Sequence, residues 1–189
     1  MMQKSKKQRK LNLNKFIVYI SFVIVLVGFS ILLPGKFLTA SNIMNILRQT
    51  AMISVAAVGM TFAITAGQID LSTGGVTATT CLIVALVLQN APVPVAVLAG
   101  IGVGLLCGGL NGILLTKCRI PAFIVTLGTS SVFVGFARSL TNLEAVSITN
   151  MSFTNMFGSG NIGPIPTLFF WTIIFTMAGQ YVYKKTSFG

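Results

Sequence analysis

The sequence contains no histidine and only two acidic residues, Asp70 and Glu144, and charged residues make up 8% of its 189 positions. A soluble domain usually carries about 25% charged residues, so this chain lacks the polar surface that a water-soluble fold needs. With no histidine and two isolated carboxylates, we predict no metal site, no cofactor and no catalytic activity. Three cysteines without a CxxC pair (Cys81, Cys107 and Cys118) indicate no disulfide framework. Phosphate-binding loops and nucleophile elbows are missing as well.

Hydrophobic residues make up 54% of the chain, and the mean hydropathy is +0.89. A transmembrane helix needs about 20 apolar residues, with a range of about 17–25. Six runs approach that length: 16–33, 51–67, 72–89, 95–116, 122–138 and 166–183. The first run exceeds the apolar core of about 7–15 residues in a signal peptide, so we interpret it as an uncleaved span. The sequence predicts an all-α fold, a polytopic transmembrane helix bundle with about six spans.

The distribution of the cations predicts the orientation of the spans. Six of the 13 Lys and Arg residues precede the first run: Lys4, Lys6, Lys7, Arg9, Lys10 and Lys15. If the N-terminus is cytoplasmic, six spans place ten cations inside and three outside (Lys36, Arg48 and Arg138). A threading with five spans would not keep this excess of cations on the cytoplasmic side. The cations behind the net charge of +11 are therefore interpreted as determinants of topology and as contacts to lipid headgroups, not as a nucleic-acid surface. Residues 1–15 are interpreted as a basic cytoplasmic tail, and the membrane as the bacterial cytoplasmic membrane.

Two polar segments separate the spans. Residues 39–49 predict a short interfacial helix with Thr39 or Ser41 as its cap, although a polar loop is the alternative. One face of that helix carries the apolar residues Ile43, Ile46 and Leu47. The longer segment, 139–164, is rich in Asn and Gly and is expected outside the cell.

Glycines recur every fourth residue in the fourth run: Gly100, Gly104, Gly108 and Gly112. Residues four apart share one helix face, and glycine there allows another helix backbone to approach closely. We favour helix packing over a ligand site for this stripe. Replacing Gly104 or Gly108 with Leu is then expected to disrupt assembly.

The stretch 66–75 (AGQIDLSTGG) places a carboxylate between two short apolar runs. An ionised Asp at the bilayer centre costs about 2.5–3.5 kcal/mol on insertion scales, so at membrane depth Asp70 must face protein or a water-filled cavity. Asp70 and Ser72 are also good caps for the next helix, whose dipole favours a negative charge. Two interpretations remain open: a broken helix that lines a translocation path, and a short cytoplasmic turn with a capping Asp.

A second polar cluster lies in the fourth and fifth runs. Thr126 and Ser130 are four residues apart and share a face, and Thr129, Ser131 and Asn111 add to the cluster. Such hydroxyls usually bond to preceding carbonyls or across helices, and lining of a path is the alternative. The pathway candidates are Gln68, Asp70, Ser72, Asn111, Thr126, Thr129 and Ser130.

Several segments occur in an order that resembles one transporter family. They are 37–39 (FLT), 42–49, 60–74 (MTFAITAGQIDLSTG), 111–115, 119–121, 123–129 (FIVTLGT), 135–138 and 184–189 (KKTSFG). Together they resemble the permeases of sugar ABC importers, the ribose-permease type. Gln68 departs from the family's usual Gly and alters substrate preference or tightens the turn, and Ala122 stands where a second Pro is common.

The resemblance implies a non-enzymatic permease subunit for a monosaccharide or a sugar-like signal such as autoinducer-2. It implies a second permease subunit, identical or homologous, two cytoplasmic ATP-binding subunits and an extracytoplasmic solute-binding protein. Family members continue beyond this point with further spans and a coupling helix, so we expect the N-terminal part of a permease. A branched-chain amino acid permease and an inactive membrane remnant are the alternatives.

Overall fold

The structure, a computed structural model, describes residues 16–186, and this part of the chain is mainly helical, as expected. The elements are α1 (Ile17–Leu32), α2 (Ala40–Thr65), α3 (Thr73–Val87), α4 (Val93–Lys117), α5 (Ala122–Leu140), α6 (Met151–Phe157), β1 (Asn161–Ile162), β2 (Ile165–Pro166) and α7 (Thr167–Lys185). The predicted basic tail, 1–15, and the end of the KKTSFG segment, 187–189, lie outside the described residues.

Helices occupy all six apolar runs, but they do not all have the dimensions of a span. Within residues 16–186, three helices are long and apolar enough to cross a membrane: α2, α4 and α5. Helices α1 and α3 are apolar but have only 16 and 15 residues. At about 1.5 Å per residue they fall short of a hydrocarbon core about 30 Å thick. The structure thus supports a helical membrane protein with three such spans.

The chain divides into two compact units, one ending at Ile46 and one beginning at Leu47. In the first unit, α1 has no buried side chain, as expected for a helix in lipid. After α1 the Phe37 ring stacks on Phe29 at 5.6 Å between centroids. Thr39 Oγ1 then accepts a hydrogen bond from the Asn42 N–H at 3.3 Å. Thr39 is therefore the cap of the helix, one of the two predicted candidates.

The interfacial helix predicted over 39–49 is not a separate element, and this part of the prediction is wrong. Residues Ala40–Thr65 form one continuous helix, α2, which includes the second apolar run. The physical reason lies in the sequence around Gln49 and Thr50. No Gly or Pro occurs between Ala40 and Val58, so nothing interrupts the i to i−4 hydrogen bonds.

In the second unit, α3 packs closely against α4 and α5. A Cβ on Gly75 of α3 would lie 2.6 Å from the carbonyl oxygen of Ser130 on α5. One turn further, the Thr79 hydroxyl lies 2.9 Å from the Phe133 carbonyl oxygen of α5. A glycine and a bonded hydroxyl at successive turns therefore let the backbones of α3 and α5 approach each other.

The glycine stripe of α4 contacts another helix only at its first member. A Cβ on Gly100 would lie 2.6 Å from Val84 Cγ2 of α3, whereas on Gly104, Gly108 or Gly112 it would meet nothing within 4 Å. Helix packing along the rest of the stripe therefore stays a prediction. Within this chain, α2 is separated from this face of α4 by a cavity that Gly104 and Gly108 line.

The polar segment 139–164 contains structure that its composition does not reveal. The Asn150 side chain accepts a hydrogen bond from the Phe153 N–H at 3.0 Å and caps α6. Strands β1 and β2 then pair antiparallel. The Trp171 indole of α7 donates to the Met156 carbonyl at 2.9 Å. This contact joins α6 to α7.

Candidate functional site

Helix α2 ends in a glycine turn that begins the unwound segment 66–72. Gly67 has φ +72°, a conformation that glycine adopts without a steric penalty. Its N–H donates to the Ile64 carbonyl at 2.9 Å, and the Gln68 N–H donates to the Ala63 carbonyl at 3.0 Å. These two bonds define a Schellman motif, which satisfies the last carbonyls of the helix. The break in helical structure predicted around Asp70 is present.

The Asp70 carboxylate lies at the N-terminus of α3. Asp70 Oδ1 accepts hydrogen bonds from the Ser72 N–H at 2.7 Å and from the Ser72 hydroxyl at 2.6 Å. The first bond forms an Asx turn and places the negative charge where the helix dipole favours it. The Ser72 hydroxyl makes no capping bond itself. Of the two predicted caps, Ser72 occupies the N-cap position without a side-chain capping bond, and Asp70 bonds to the N–H of Ser72.

Asn111 of α4 extends this network. Its Nδ2 donates to Ser72 Oγ at 2.8 Å. Because the Ser72 hydroxyl gives its only proton to Asp70, it must accept from Asn111, which fixes the orientation of the amide. Ser72 is 1% exposed. The chain Asn111–Ser72–Asp70, with a buried Ser72 between two half-buried side chains, therefore links α4 to the start of α3.

The predicted hydroxyl cluster of α5 separates into three different environments. Thr126 is 4% exposed, and its Oγ1 accepts a hydrogen bond from the Leu71 N–H at 3.0 Å. Thr129 bonds within its own helix, to the Val125 carbonyl at 2.9 Å, as hydroxyls in a span commonly do. Ser130 contacts α3 through its backbone. Among these hydroxyls, in the part of the chain that the structure describes, that of Thr126 makes the hydrogen-bond contacts to the unwound segment.

A cavity of about 380 Å³ lies between α2, α3 and α4. Its lining residues are Val55, Ala56, Gly59, Met60, Ala63, Asp70, Ser72, Thr73, Val76, Thr77, Gly104, Gly108 and Asn111. Small apolar residues form the walls, and a carboxylate, hydroxyls and an amide supply the polar groups. Gln68 and the α5 hydroxyls are not part of this lining. The structure thus brings together three of the seven pathway candidates, namely Asp70, Ser72 and Asn111.

Sequence reasoning missed two hydroxyls of the cavity. Thr73 and Thr77 both line it, and Thr73 Oγ1 lies 3.4 Å from Met60 Sδ of α2. Thr73 and Thr77 are four residues apart, which places them on one face of α3. That spacing was visible in the sequence.

The polar groups of the cavity suit an uncharged ligand with several hydroxyls. Both bonds from Ser72 end on Asp70 Oδ1, so within residues 16–186 Oδ2 remains for a ligand donor. The lining contains no Lys or Arg. A ligand with its own carboxylate would therefore lie beside Asp70 without a compensating cation.

Comparison with known proteins points to membrane transport. The family described as "Branched-chain amino acid transport system / permease component" matches residues 42–189. The chain is 35% identical over 161 residues to the xylose transport system permease protein XylH of Haemophilus influenzae, covering 84% of this chain and 43% of that protein. It is 35% identical over 174 residues to the ribose import permease protein RbsC of Bacillus subtilis, covering 90% and 53% respectively.

A third relative, the D-allose transport system permease protein AlsC of Escherichia coli, is 32% identical over 159 residues, covering 82% of this chain and 49% of that protein. The chain therefore spans about half the length of these relatives. No solved structure matches it.

Proposed function

The chain belongs to the permease component family of the branched-chain amino acid transport system type, and on that premise we propose that it is the membrane permease part of an ATP-driven importer for a monosaccharide. It carries no ATPase chemistry of its own, and a separate subunit hydrolyses ATP. The relatives named for xylose, ribose and allose support a sugar as the solute.

The observation that carries this proposal is the chemistry of the cavity. Asp70 accepts hydrogen bonds, Thr73 and Thr77 offer hydroxyls, and no lining residue is cationic. A neutral pentose or hexose presents many donors and no charge. A branched-chain amino acid brings an ammonium group, which Asp70 could pair with, and a carboxylate, for which the lining offers no cation. This contrast favours a sugar over the amino acid that the family description names.

The proposal includes six spans with a cytoplasmic N-terminus in a bacterial cytoplasmic membrane. In that arrangement α1, α3 and α7 also cross, and neighbouring chains cover faces that α2 and α4 leave open. The partners proposed from the resemblance are a second permease subunit, two cytoplasmic ATP-binding subunits and an extracytoplasmic solute-binding protein.

Uptake of labelled solutes tests the proposal. The chain is produced with its ATP-binding and solute-binding partners, and entry of labelled D-xylose, D-ribose and L-leucine is compared. We expect sugar uptake that competes with unlabelled sugar and not with leucine. Asp70→Asn is expected to reduce uptake at low sugar concentration about tenfold, since it removes a charge-assisted hydrogen bond.

The matched control is Glu144→Gln, because Glu144 is the other acidic residue and is exposed. It is expected to leave uptake unchanged. Preferential leucine uptake would support the amino acid alternative, and no uptake of any solute would overturn the transport proposal. Wild-type uptake by Asp70→Asn would remove the cavity from the mechanism.

A further inference from the structure

We propose that Thr126 is a positioning residue, whose buried hydroxyl holds the Asp70 carboxylate in place by fixing the peptide that follows it. The inference rests on the proposed function in one respect, that Asp70 faces the solute. The contact itself joins α5 to the unwound segment across 55 positions of the sequence.

Several hydrogen bonds hold the segment. At its start, the Gln68 N–H bonds to the end of α2, and at its end, Asp70 Oδ1 accepts from the N–H of Ser72, the residue before α3. Between them, Thr126 Oγ1 accepts from the Leu71 N–H. That N–H belongs to the peptide bond between Asp70 and Leu71, so the bond fixes the peptide plane from which the Asp70 Cα–Cβ bond projects. Without it, the N–H of this peptide has no acceptor among the described residues, although the bonds between Asp70, Ser72 and Asn111 remain.

The geometry separates this role from solute contact. Thr126 is 4% exposed and lies outside the cavity lining. The acceptors for its own proton are the Ala122 carbonyl, 2.8 Å away in the same helix, and the Ile69 carbonyl of the unwound segment at 3.4 Å. Either bond leaves a lone pair of Oγ1 for the Leu71 N–H. Serine retains that acceptor, whereas valine keeps the shape and loses it.

Two variants and a control separate these roles. In Thr126→Val the Leu71 N–H loses its acceptor, so we expect the half-saturation concentration for sugar uptake to rise about tenfold with little change in maximal rate. Thr126→Ser is expected to stay within about twofold of wild type. Thr116→Val makes the same substitution at an exposed position, where the hydroxyl bonds only to Gly112 of its own helix at 2.7 Å, and should change nothing.

Amide hydrogen exchange of the chain in lipid nanodiscs provides a readout that does not depend on transport. In Thr126→Val, the peptide containing Leu71 should exchange about tenfold faster, while peptides from the cores of α3, α4 and α5 keep their rates. Thr126→Ser should keep the wild-type rate in all of them.

The outcomes distinguish the two proposals. If wild type takes up no sugar, the proposed function fails, and exchange alone decides the role of Thr126. Equal effects of the Val and Ser variants, or faster exchange spread through α3–α5, would overturn the positioning role. Should Thr126→Val fail to accumulate in membranes, Thr126→Cys replaces it, because sulfur is a weaker acceptor of similar size. Wild-type exchange at Leu71 in that variant would also overturn the inference.

Discussion

Neighbouring glycines at the start of α3 differ in what lies opposite them. A Cβ on Gly75 would come within 2.6–2.8 Å of the Ser130 carbonyl oxygen and Cα, whereas on Gly74 it would meet nothing within 4 Å. A clash with backbone cannot be relieved by a change of rotamer. Gly75→Ala should therefore destabilise the chain by about 1–3 kcal/mol, and Gly74→Ala should leave it unchanged or slightly more stable.

Thermal unfolding in detergent measures this difference. Cys107 is buried, so its reaction with a thiol-reactive fluorophore reports unfolding, with the exposed cysteines replaced by Ala. The expected result is a midpoint several degrees lower for Gly75→Ala than for Gly74→Ala. Equal midpoints would mean that α3 and α5 lie further apart than the structure indicates.

Gly108 of α4 lines the cavity and has open space where a Cβ would be. The Cβ of a leucine there meets no atom within 4 Å and its side chain enters the cavity, so we expect Gly108→Leu to reach the membrane at the wild-type level and to lose most sugar uptake. This replaces the expectation that the substitution prevents assembly. Gly102 of the same helix also faces open space but does not line the cavity, so Gly102→Leu should retain uptake. Low membrane yield of Gly108→Leu alone would restore the packing interpretation.

At the scale of elements, the β1–β2 hairpin is attached to α2 by one cation. Arg48 Nη2 donates to Asn161 Oδ1 at 2.7 Å and lies 3.4 Å from the Ser159 carbonyl oxygen. Arg48 is one of the three cations assigned to the outside, against the usual bias. Its hydrogen bonds supply a structural reason for a cation at this end of α2.

Arg48→Met keeps the length of the side chain and removes these bonds. We expect the hairpin to become several-fold more sensitive to a protease added to the purified chain, with cleavage confined to residues 158–166. Arg138→Met is the control, since Arg138 is an exposed cation at the end of α5. Equal protease sensitivity in wild type and Arg48→Met would show that other contacts hold the hairpin.

The sequence predicts those elements whose cause is local. The bounds of the apolar runs agree to within a few residues with those of α1, α3, α4, α5 and α7, because a helix exposed to lipid needs a continuous hydrophobic sequence. The hairpin and α6 were missed because short polar elements have no such pattern, although Asn150 is a recognisable cap.

Contacts between distant residues were harder to predict. The bond from the Leu71 N–H to Thr126 joins positions 55 apart, and periodicity carries no information on such pairs. The even spacing of Gly100 and Gly108 likewise predicts a shared face but not what lies opposite it. Gly100 lies against the Val84 side chain, whereas Gly108 lines a cavity.

At the scale of the whole molecule, the proposed threading depends on which helices cross the bilayer. Large apolar side chains are exposed on α1, α2, α4 and α5, an arrangement that water would penalise and lipid favours. Three helices meet the length and hydropathy of a span. If the N-terminus is cytoplasmic and the shorter α1 and α3 also cross, the turn after α4 is cytoplasmic and the loop after α5 is external.

Cys118 and Leu143 mark these two loops, and both are exposed. Two single-cysteine chains are needed, one retaining Cys118 and one with Leu143→Cys, with all other cysteines replaced by Ala. In intact cells a membrane-impermeant maleimide should label the Leu143→Cys chain and spare Cys118, and permeabilisation should expose Cys118 to the reagent. Detergent-solubilised protein, in which both sites must react, is the control. Because α5 alone separates the two positions, labelling of both in intact cells would mean that α5 does not cross the bilayer.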